Sequence, residues 1–486
     1  MHPSVILKVI GVLLMLFSFT LVPPFIIAII YDDAGDSVFL WSFAVTIISG
    51  MMCWFPVQHI NRELHTRDGF LVVVLFWSVL ALFGSIPFLI FKYPVMNFTD
   101  AFFESMSGLT TTGATILTGI DELPKSILFY RQQLQWLGGM GIIVLAVAVL
   151  PMLGIGGMQL YRAETPGPVK DSKLTPRITE TAKALWYVYL FLTVSCALGY
   201  WIVGMSLFDA VSHSFTTVAI GGFSTHDASI GYFDNLGVEI ITMIFMLISV
   251  LNFALHFYTW RNRRSFNLTH YIKDPEVQTF FFVLLSICFI TCLYLIANGT
   301  YDSWQEALRY GLFEAISITT TTGYGVANFS NWPSLLPVLL IMGSFMGGCA
   351  GSTGGGIKVI RVLLLYKQGA REIKKLIHPS AIILLKIGNK PVPERVIEAV
   401  WGFLGVYLLL FILLMLGVNA TGLDFETSFS AVAACLNNLG PGIGSVSDHY
   451  GEISNGAKWI LCLAMLLGRL EIFTLLVIIN PMFWRR

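Results

Sequence analysis

Four segments of this chain stack without gaps when Gly113, Gly222, Gly323 and Gly440 share one column. They are DAFFESMSGLTTTG (Asp100–Gly113), DAVSHSFTTVAIGG (Asp209–Gly222), YGLFEAISITTTTG (Tyr310–Gly323) and TSFSAVAACLNNLG (Thr427–Gly440). Asp-Ala opens the first two rows, Phe-Glu recurs at Phe103–Glu104 and Phe313–Glu314, and Thr-Thr-Thr-Gly closes the first and third. Successive column glycines are 109, 101 and 117 residues apart. Self-similarity of this kind settles the architecture before any single segment is assigned.

The surroundings of these rows are apolar. The 486 residues are 56% hydrophobic and 12% charged, with a mean hydropathy of +0.75. A soluble domain carries about 25% charge, so the class is a polytopic membrane protein. The formal net charge of +0 gives no hint of a nucleic-acid partner. A spanning helix needs roughly 20 apolar residues. Ten spans are expected: Val5–Ile30, Val38–Val57, Gly69–Phe91, Arg131–Leu153, Ala182–Met205, Gly237–Tyr258, Val277–Ala297, Ser334–Val359 (interrupted), Val396–Gly417 and Ala457–Pro481. Asp100–Leu109, Asp209–Val218, Tyr310–Thr319 and Thr427–Leu436 are too short to cross and read as re-entrant helices.

Of the 29 Lys and Arg, 22 fall in Asn61–Asp68, Tyr161–Lys183, Trp260–Asp274, Lys358–Arg395 and Arg485–Arg486. Positive residues mark the cytoplasmic side. With ten spans both termini are expected in the cytoplasm, and the short helices enter from outside. The fold class is therefore all-α: four helix–pore-loop–helix repeats around one pore in a pseudo-fourfold arrangement, after an N-terminal helix pair. The divisions are 1–67 for the pair, then 68–160, 161–273, 274–390 and 391–486 for the repeats. Seven cysteines scatter through apolar segments, and Cys288 and Cys292 lie one helical turn apart with no His or carboxylate nearby. They read as buried packing thiols.

Non-helical backbone at membrane depth is tolerated only where protein buries it or it lines water. Four such loops converging on one axis supply rings of carbonyl oxygens that replace an ion's hydration shell. A glycine permits the backbone angles this requires. Each short helix also aims its negative C-terminal end at the axis, which favours a cation. A turn between packed helices would explain one such loop; four aligned copies argue against it. Thr-Thr-Gly-Tyr-Gly at 321–325 is close to the T-V-G-Y-G potassium-channel filter.

The third repeat carries a second interruption, GSFMGGCAGSTGGGIK (Gly343–Lys358), which no spanning helix continues through at roughly 1 kcal/mol per glycine. A phosphate-binding loop needs G-x-x-x-x-G-K-[ST] after a strand, and the stretch lacks that ending. A close-packed glycine motif is the plain alternative. The favoured reading is an intramembrane loop below the filter, with Gly347, Gly348, Gly351, Ser352, Thr353, Gly354, Gly355, Gly356 and Lys358 as gate residues. Arg469 lies mid-span and needs a cavity or a partner. The carbonyls around Gly347–Gly356 are candidates, and a fixed cation there would repel an ion leaving the filter. A structural or snorkelling role is the alternative. Glu104 and Glu314 occupy equivalent sites, either tuning the filter field or joining hydrogen bonds behind it. His213 takes the same position in the second repeat and reads as structural.

On these residues the chain resembles the Trk/Ktr/HKT superfamily of potassium transporters over its whole length, most closely the bacterial TrkH branch. The resemblance implies ion coordination by Thr111, Thr112 and Gly113, by Ile220, Gly221 and Gly222, by Thr321, Thr322 and Gly323, and by Asn438, Leu439 and Gly440. Members with serine at the first filter glycine tend toward sodium, and this chain has Gly113, so potassium is the substrate the resemblance implies; no cofactor is expected. It also implies potassium uptake across a bacterial inner membrane, a homodimer, and a cytosolic regulatory subunit with nucleotide-binding RCK domains (TrkA-like). That subunit would dock on the basic Lys358–Arg395 segment, which otherwise reads as a solvated face. A secondary transporter of another cation with a broken-helix site is the alternative; it would usually show inverted repeats. No HExxH or GxSxG motif points to an enzyme.

Overall fold

The computed structural model describes residues 2–60, 66–144, 178–261, 269–388 and 390–485. Six helices are long and apolar enough to cross a membrane: Pro3–Tyr31, Asp36–Val57, Arg67–Ile90, Lys183–Ile202, Pro275–Ala297 and Glu394–Asn419. They correspond to six of the ten expected spans. The first two cross where Gly11 and Gly50 meet; a Cβ on Gly11 would lie 2.8 Å from the Gly50 carbonyl oxygen. Lys8 donates to the carbonyls of Gln58 and Ile60 at 2.8 and 2.9 Å, closing this pair at one end.

The other four expected spans are the second helices of the four repeats, and every one is broken. Only the third break was expected, so three spans are corrected. In the first repeat Lys125–Val144 kinks at Gly141 (φ 45°, ψ −154°); the expected continuation to Leu153 lies outside the described residues. In the second, Leu236–Ser249 stops and Phe253–Arg261 resumes. Asn252 starts the new helix by accepting from the Ala254 amide at 2.8 Å. In the third, Leu335–Met346 and Val359–Ile377 flank the glycine-rich loop, which opens at Gly347 (φ 65°, ψ −154°). In the fourth, Asn455–Arg469 and Phe473–Ile479 meet at 115°. Glycine makes the first and third breaks possible, since their angles are open essentially to glycine alone. The fourth uses Glu471 and Ile472 at φ +53° and +59°, and no glycine signals it.

The four short helices are Phe98–Leu109, Leu207–Ala219, Trp304–Thr319 and Phe425–Leu436. Each begins earlier than expected because a capping side chain lies upstream. Asn97, Ser206, Ser303 and Asp424 accept from the amides of Asp100, Asp209, Glu306 and Thr427 at 2.9, 3.1, 3.2 and 3.0 Å. Each cap satisfies an otherwise orphaned amide at the helix start, a contribution of about 1 kcal/mol. A two-stranded antiparallel ribbon, Lys386–Ile387 against Lys390–Pro391, interrupts the basic segment after Gly388 turns at φ +56°. The all-α expectation holds, with this short ribbon as the exception among the described residues. Part of the positively charged segments (61–65, 161–177 and 262–268) lies outside them. Arg67 donates to the carbonyl of Arg485 at 3.1 Å, which brings the first and last positive segments together.

Candidate functional site

The four short helices end in the same way. The residue two before each column glycine is left-handed: Thr111 (φ +54°), Ile220 (+55°), Thr321 (+64°) and Asn438 (+52°). Its amide bonds back to Gly108, Thr217, Ile318 and Cys435 at 3.0, 3.1, 3.0 and 3.3 Å. The next amide, of Thr112, Gly221, Thr322 or Leu439, reaches Ser107, Thr216, Ser317 or Ala434 at 2.9, 2.9, 2.8 and 2.8 Å. These paired bonds are the Schellman helix end, which normally places glycine at the left-handed position. Three of the four residues here are β-branched, for which that conformation costs of order 1–3 kcal/mol. The column glycine then turns left-handed again, at φ +81°, +78°, +81° and +99°. Backbone of alternating handedness directs successive peptide groups toward one side.

The column glycines close a ring. A Cβ on Gly113 would lie 2.2 Å from the Gly221 oxygen, on Gly222 2.1 Å from Thr322, and on Gly323 2.1 Å from Leu439. A Cβ on Gly440 would lie 2.7 Å from Thr112, which returns the circuit to the first repeat. Thr111, Thr112, Ile220, Thr321, Thr322, Asn438 and Leu439 are buried. Among the described residues, two of the twelve carbonyls from these positions accept a hydrogen bond. Gly221 accepts from Gln135 at 2.6 Å and Gly440 from Tyr450 at 2.7 Å. No donor among the described residues reaches the other ten, and polar groups left in that state call for an explanation.

Side chains behind the ring hold the loops that follow each glycine. Glu104 accepts from the Ile116 amide at 3.0 Å, and Glu314 from Val326 and Ala327 at 2.8 and 3.0 Å. His213 bonds Ser224 at 3.0 Å, and Ser430 accepts from Ile443 at 2.9 Å. Of the two roles open to the glutamates, the hydrogen-bonding one is occupied. Arg131 neutralises Glu104 at 2.8 Å, donates to Ser224 at 3.1 Å, and lies over the Phe223 ring at 4.3 Å. Asn438 crosses to the first repeat, donating to Thr112 Oγ1 at 3.0 Å. Outside the ring lies a cavity of about 500 Å³ lined by all four column glycines, with Asp227, Glu314 and Asp448 among its walls.

On the other side the glycine-rich loop covers the helix ends. Gly356 donates to the Asn437 carbonyl at 3.1 Å, Gly355 to Thr321 Oγ1 at 2.8 Å, and Thr353 to the Val218 carbonyl at 3.0 Å. Those contacts reach the fourth, third and second repeats. Arg469 completes the circuit. It donates to Thr353 O at 3.3 Å and Thr111 Oγ1 at 3.4 Å, and also bonds the carbonyls of Gly138 and Gly139. Lys358 folds back onto the Gly354 carbonyl. Gly348 contacts Gly355, and Gly351 accepts from Phe253 at 3.1 Å, so both limbs are tethered. Ser352 bonds Cys349 within the loop at 2.6 Å.

Sequence reasoning missed Gln135, Arg131 and Asn437. Gln135 donates to Gly221 and accepts from Phe223 at 3.0 Å, holding the second loop from behind. Asn437 accepts from Tyr407 at 2.5 Å and donates to Ser344 at 3.0 Å. The available signal was polarity itself: an arginine and three glutamines at 131–135 inside an apolar run are functional candidates by default. The cysteines are free thiols, six of them buried. Among the described residues no cluster of metal-ligating side chains occurs.

The family model described as a cation transport protein, TrkH, matches residues 35–486. The Trk system potassium uptake protein TrkH of Vibrio parahaemolyticus is 56% identical over 480 residues, covering 99% of each chain. Its counterpart in Escherichia coli K12 is 53% identical and covers 100% of both. The crystal structure of the potassium transporter TrkH from Vibrio parahaemolyticus superposes with a TM-score of 0.91 at 53% identity, covering 100% of both chains. The chain belongs to the TrkH family of cation transport proteins.

Proposed function

We propose that this chain is the pore of a potassium uptake system in a bacterial cytoplasmic membrane. The observation that carries this reading is the closed ring of four glycine-hinged loops, ten of whose twelve carbonyls meet no donor among the described residues. Dehydrated potassium is a group of the right charge to occupy them. Its binding atoms would be the carbonyls of Thr111–Gly113, Ile220–Gly222, Thr321–Gly323 and Asn438–Gly440. Arg469 and the loop Gly347–Lys358 would close the pore beneath. The relatives' names give the substrate, and their designation as proteins of a Trk system supports a partnered assembly. The partners carried over from the family are a second copy of the chain and a cytosolic regulator with nucleotide-binding RCK domains, with both termini on its side. The division into a helix pair (1–67) and four repeats is supported by the shared caps and helix ends described above.

Purified chain in liposomes tests this reading. Potassium flux should exceed sodium flux several-fold under equal gradients. A flux linear in driving force, without a proton gradient, identifies a channel; flux that needs the proton gradient identifies a symporter. Equal passage of the two cations, or none of either, overturns the assignment.

A further inference from the structure

The intramembrane loop is held by a residue outside it. Glu276 stands in the first turn of Pro275–Ala297, the uninterrupted first helix of the third repeat, and is 9% exposed. One carboxylate oxygen, Oε1, accepts from the Ala350 amide at 2.7 Å and from the Ile360 amide at 3.2 Å. Ala350 lies on the limb that enters the loop and Ile360 just past the limb that leaves it. A single buried acceptor on a rigid helix thus ties both limbs together. The entering limb has a second fixed neighbour: Cys349 donates to Val250 at 3.0 Å, and Phe253 to Gly351 at 3.1 Å. Those partners flank the break in the second repeat.

We infer that Glu276 is a positioning residue that latches the intramembrane loop in its pore-covering conformation. Clearing the pore requires Thr353, Gly354 and Gly355 to leave the ends of the short helices, which swings the limbs at residues 350 and 360. That motion exchanges the two bonds to Glu276 for bonds to water. Buried amides that lose their acceptor pay the desolvation cost in full. Removing the carboxylate destabilises the covered state alone, because in the swung state both amides meet water. Glutamine keeps an acceptor oxygen at the same place, so it separates the latch from a general need for a side chain there.

The inference rests on the pore reading, and the test reads the two independently. Cys349 is fully buried beside Ala350. With the other six cysteines replaced, its reaction with a membrane-impermeant methanethiosulfonate reports exposure of the loop whether or not ions pass. Glu276→Ala should raise both the labelling rate and potassium flux in liposomes by roughly tenfold or more, the factor that losing two hydrogen bonds represents. Glu276→Gln should stay within about threefold of the wild type in both. Equal labelling of wild type and Glu276→Ala overturns the latch, as does Glu276→Gln behaving like Glu276→Ala. Wild-type chain that passes no potassium, with labelling that follows the expected order, overturns the pore reading and leaves the latch standing.

Discussion

Arg469 donates to the carbonyl of Thr353 at 3.3 Å, joining the bent helix of the fourth repeat to the loop of the third. The same guanidinium touches Thr111 Oγ1, at the end of the first short helix. It therefore serves as a bolt between elements and as a fixed positive charge below the ring. Two unit charges about 8 Å apart at an effective dielectric of about 20 repel by roughly 2 kcal/mol. Arg469→Ala should raise potassium flux by about tenfold or more. Arg469→Lys should keep much of the barrier, since it retains the charge and loses the multiple donors. Liposome flux checks this, and lower flux at equal incorporation would refute a barrier role.

Gly355 tests the covering loop without touching a charge. A Cβ there would lie 1.9 Å from the Asn437 oxygen, against backbone that has little room to give. Gly355→Ala should prevent the loop from seating under the fourth short helix and raise flux several-fold. Gly369→Ala, in open space on the following helix, is the matched control and should leave flux unchanged.

The column glycines should respond together, and unequally. Gly113→Ser places a Cβ on the Gly221 oxygen in a backbone conformation that a side chain resists. The first loop must shift, so the ratio of potassium to sodium flux should fall several-fold. Gly222→Ala and Gly323→Ala meet contacts as tight, whereas the Gly440 Cβ position is 2.7 Å from its nearest atom. Gly440→Ala should therefore be the mildest of the set. An unchanged ratio in Gly113→Ser would remove the ring from the account of selectivity.

Much of this was legible in the sequence. Six spans and four short helices follow from run length, and the column glycines from self-similarity. The rest was hidden for two physical reasons. Local propensity argues against what the ring requires: Thr111, Ile220 and Thr321 are β-branched and yet left-handed, a state imposed by the surrounding packing. The fourth break is likewise made by Glu471 and Ile472, residues that carry no turn signal. The second reason is that partners far apart in sequence share no pattern. Arg131 and Ser224, Gln135 and Gly221, and Glu276 and Ala350 are joined only by the fold. A buried polar side chain announces that it needs a partner without naming one.

The Arg131–Glu104 pair has both side chains fully buried at 2.8 Å. Removing one partner leaves an uncompensated charge in a low-dielectric site, which costs about 3–5 kcal/mol. Glu104→Gln should lower the thermal unfolding midpoint of the purified protein markedly. The double variant Glu104→Gln with Arg131→Gln should recover part of the loss, because it strands no charge. A double variant no better than the sum of the two singles would argue that the pair acts only through separate contacts.

The cavity that the column glycines line carries a pH-dependent contact. His226 bonds Asp121 through Nδ1, lies 3.5 Å from Asp209 through Nε2, and stacks on Tyr232 at 3.5 Å. Asp227 flanks it, and His213 lies parallel at 6.5 Å. Burial disfavours the imidazolium, but the Asp209 and Asp121 carboxylates beside it outweigh burial and hold the His226 pKa above its ordinary value. Burial likewise works against the Asp121 carboxylate, and its bond to His226 wins, holding its pKa below the usual range. A raised histidine pKa means stabilisation present in full below the unfolded value of about 6.5 and lost as pH rises through the folded value. A lowered carboxylate pKa means stabilisation present above about 3.9 and lost as pH falls through the folded value. The contact is therefore strongest between roughly pH 4 and 6.5. The thermal unfolding midpoint should decline from pH 6 to pH 9 in the wild type, and His226→Gln should flatten that decline. A parallel decline in both proteins would assign the pH dependence to other groups.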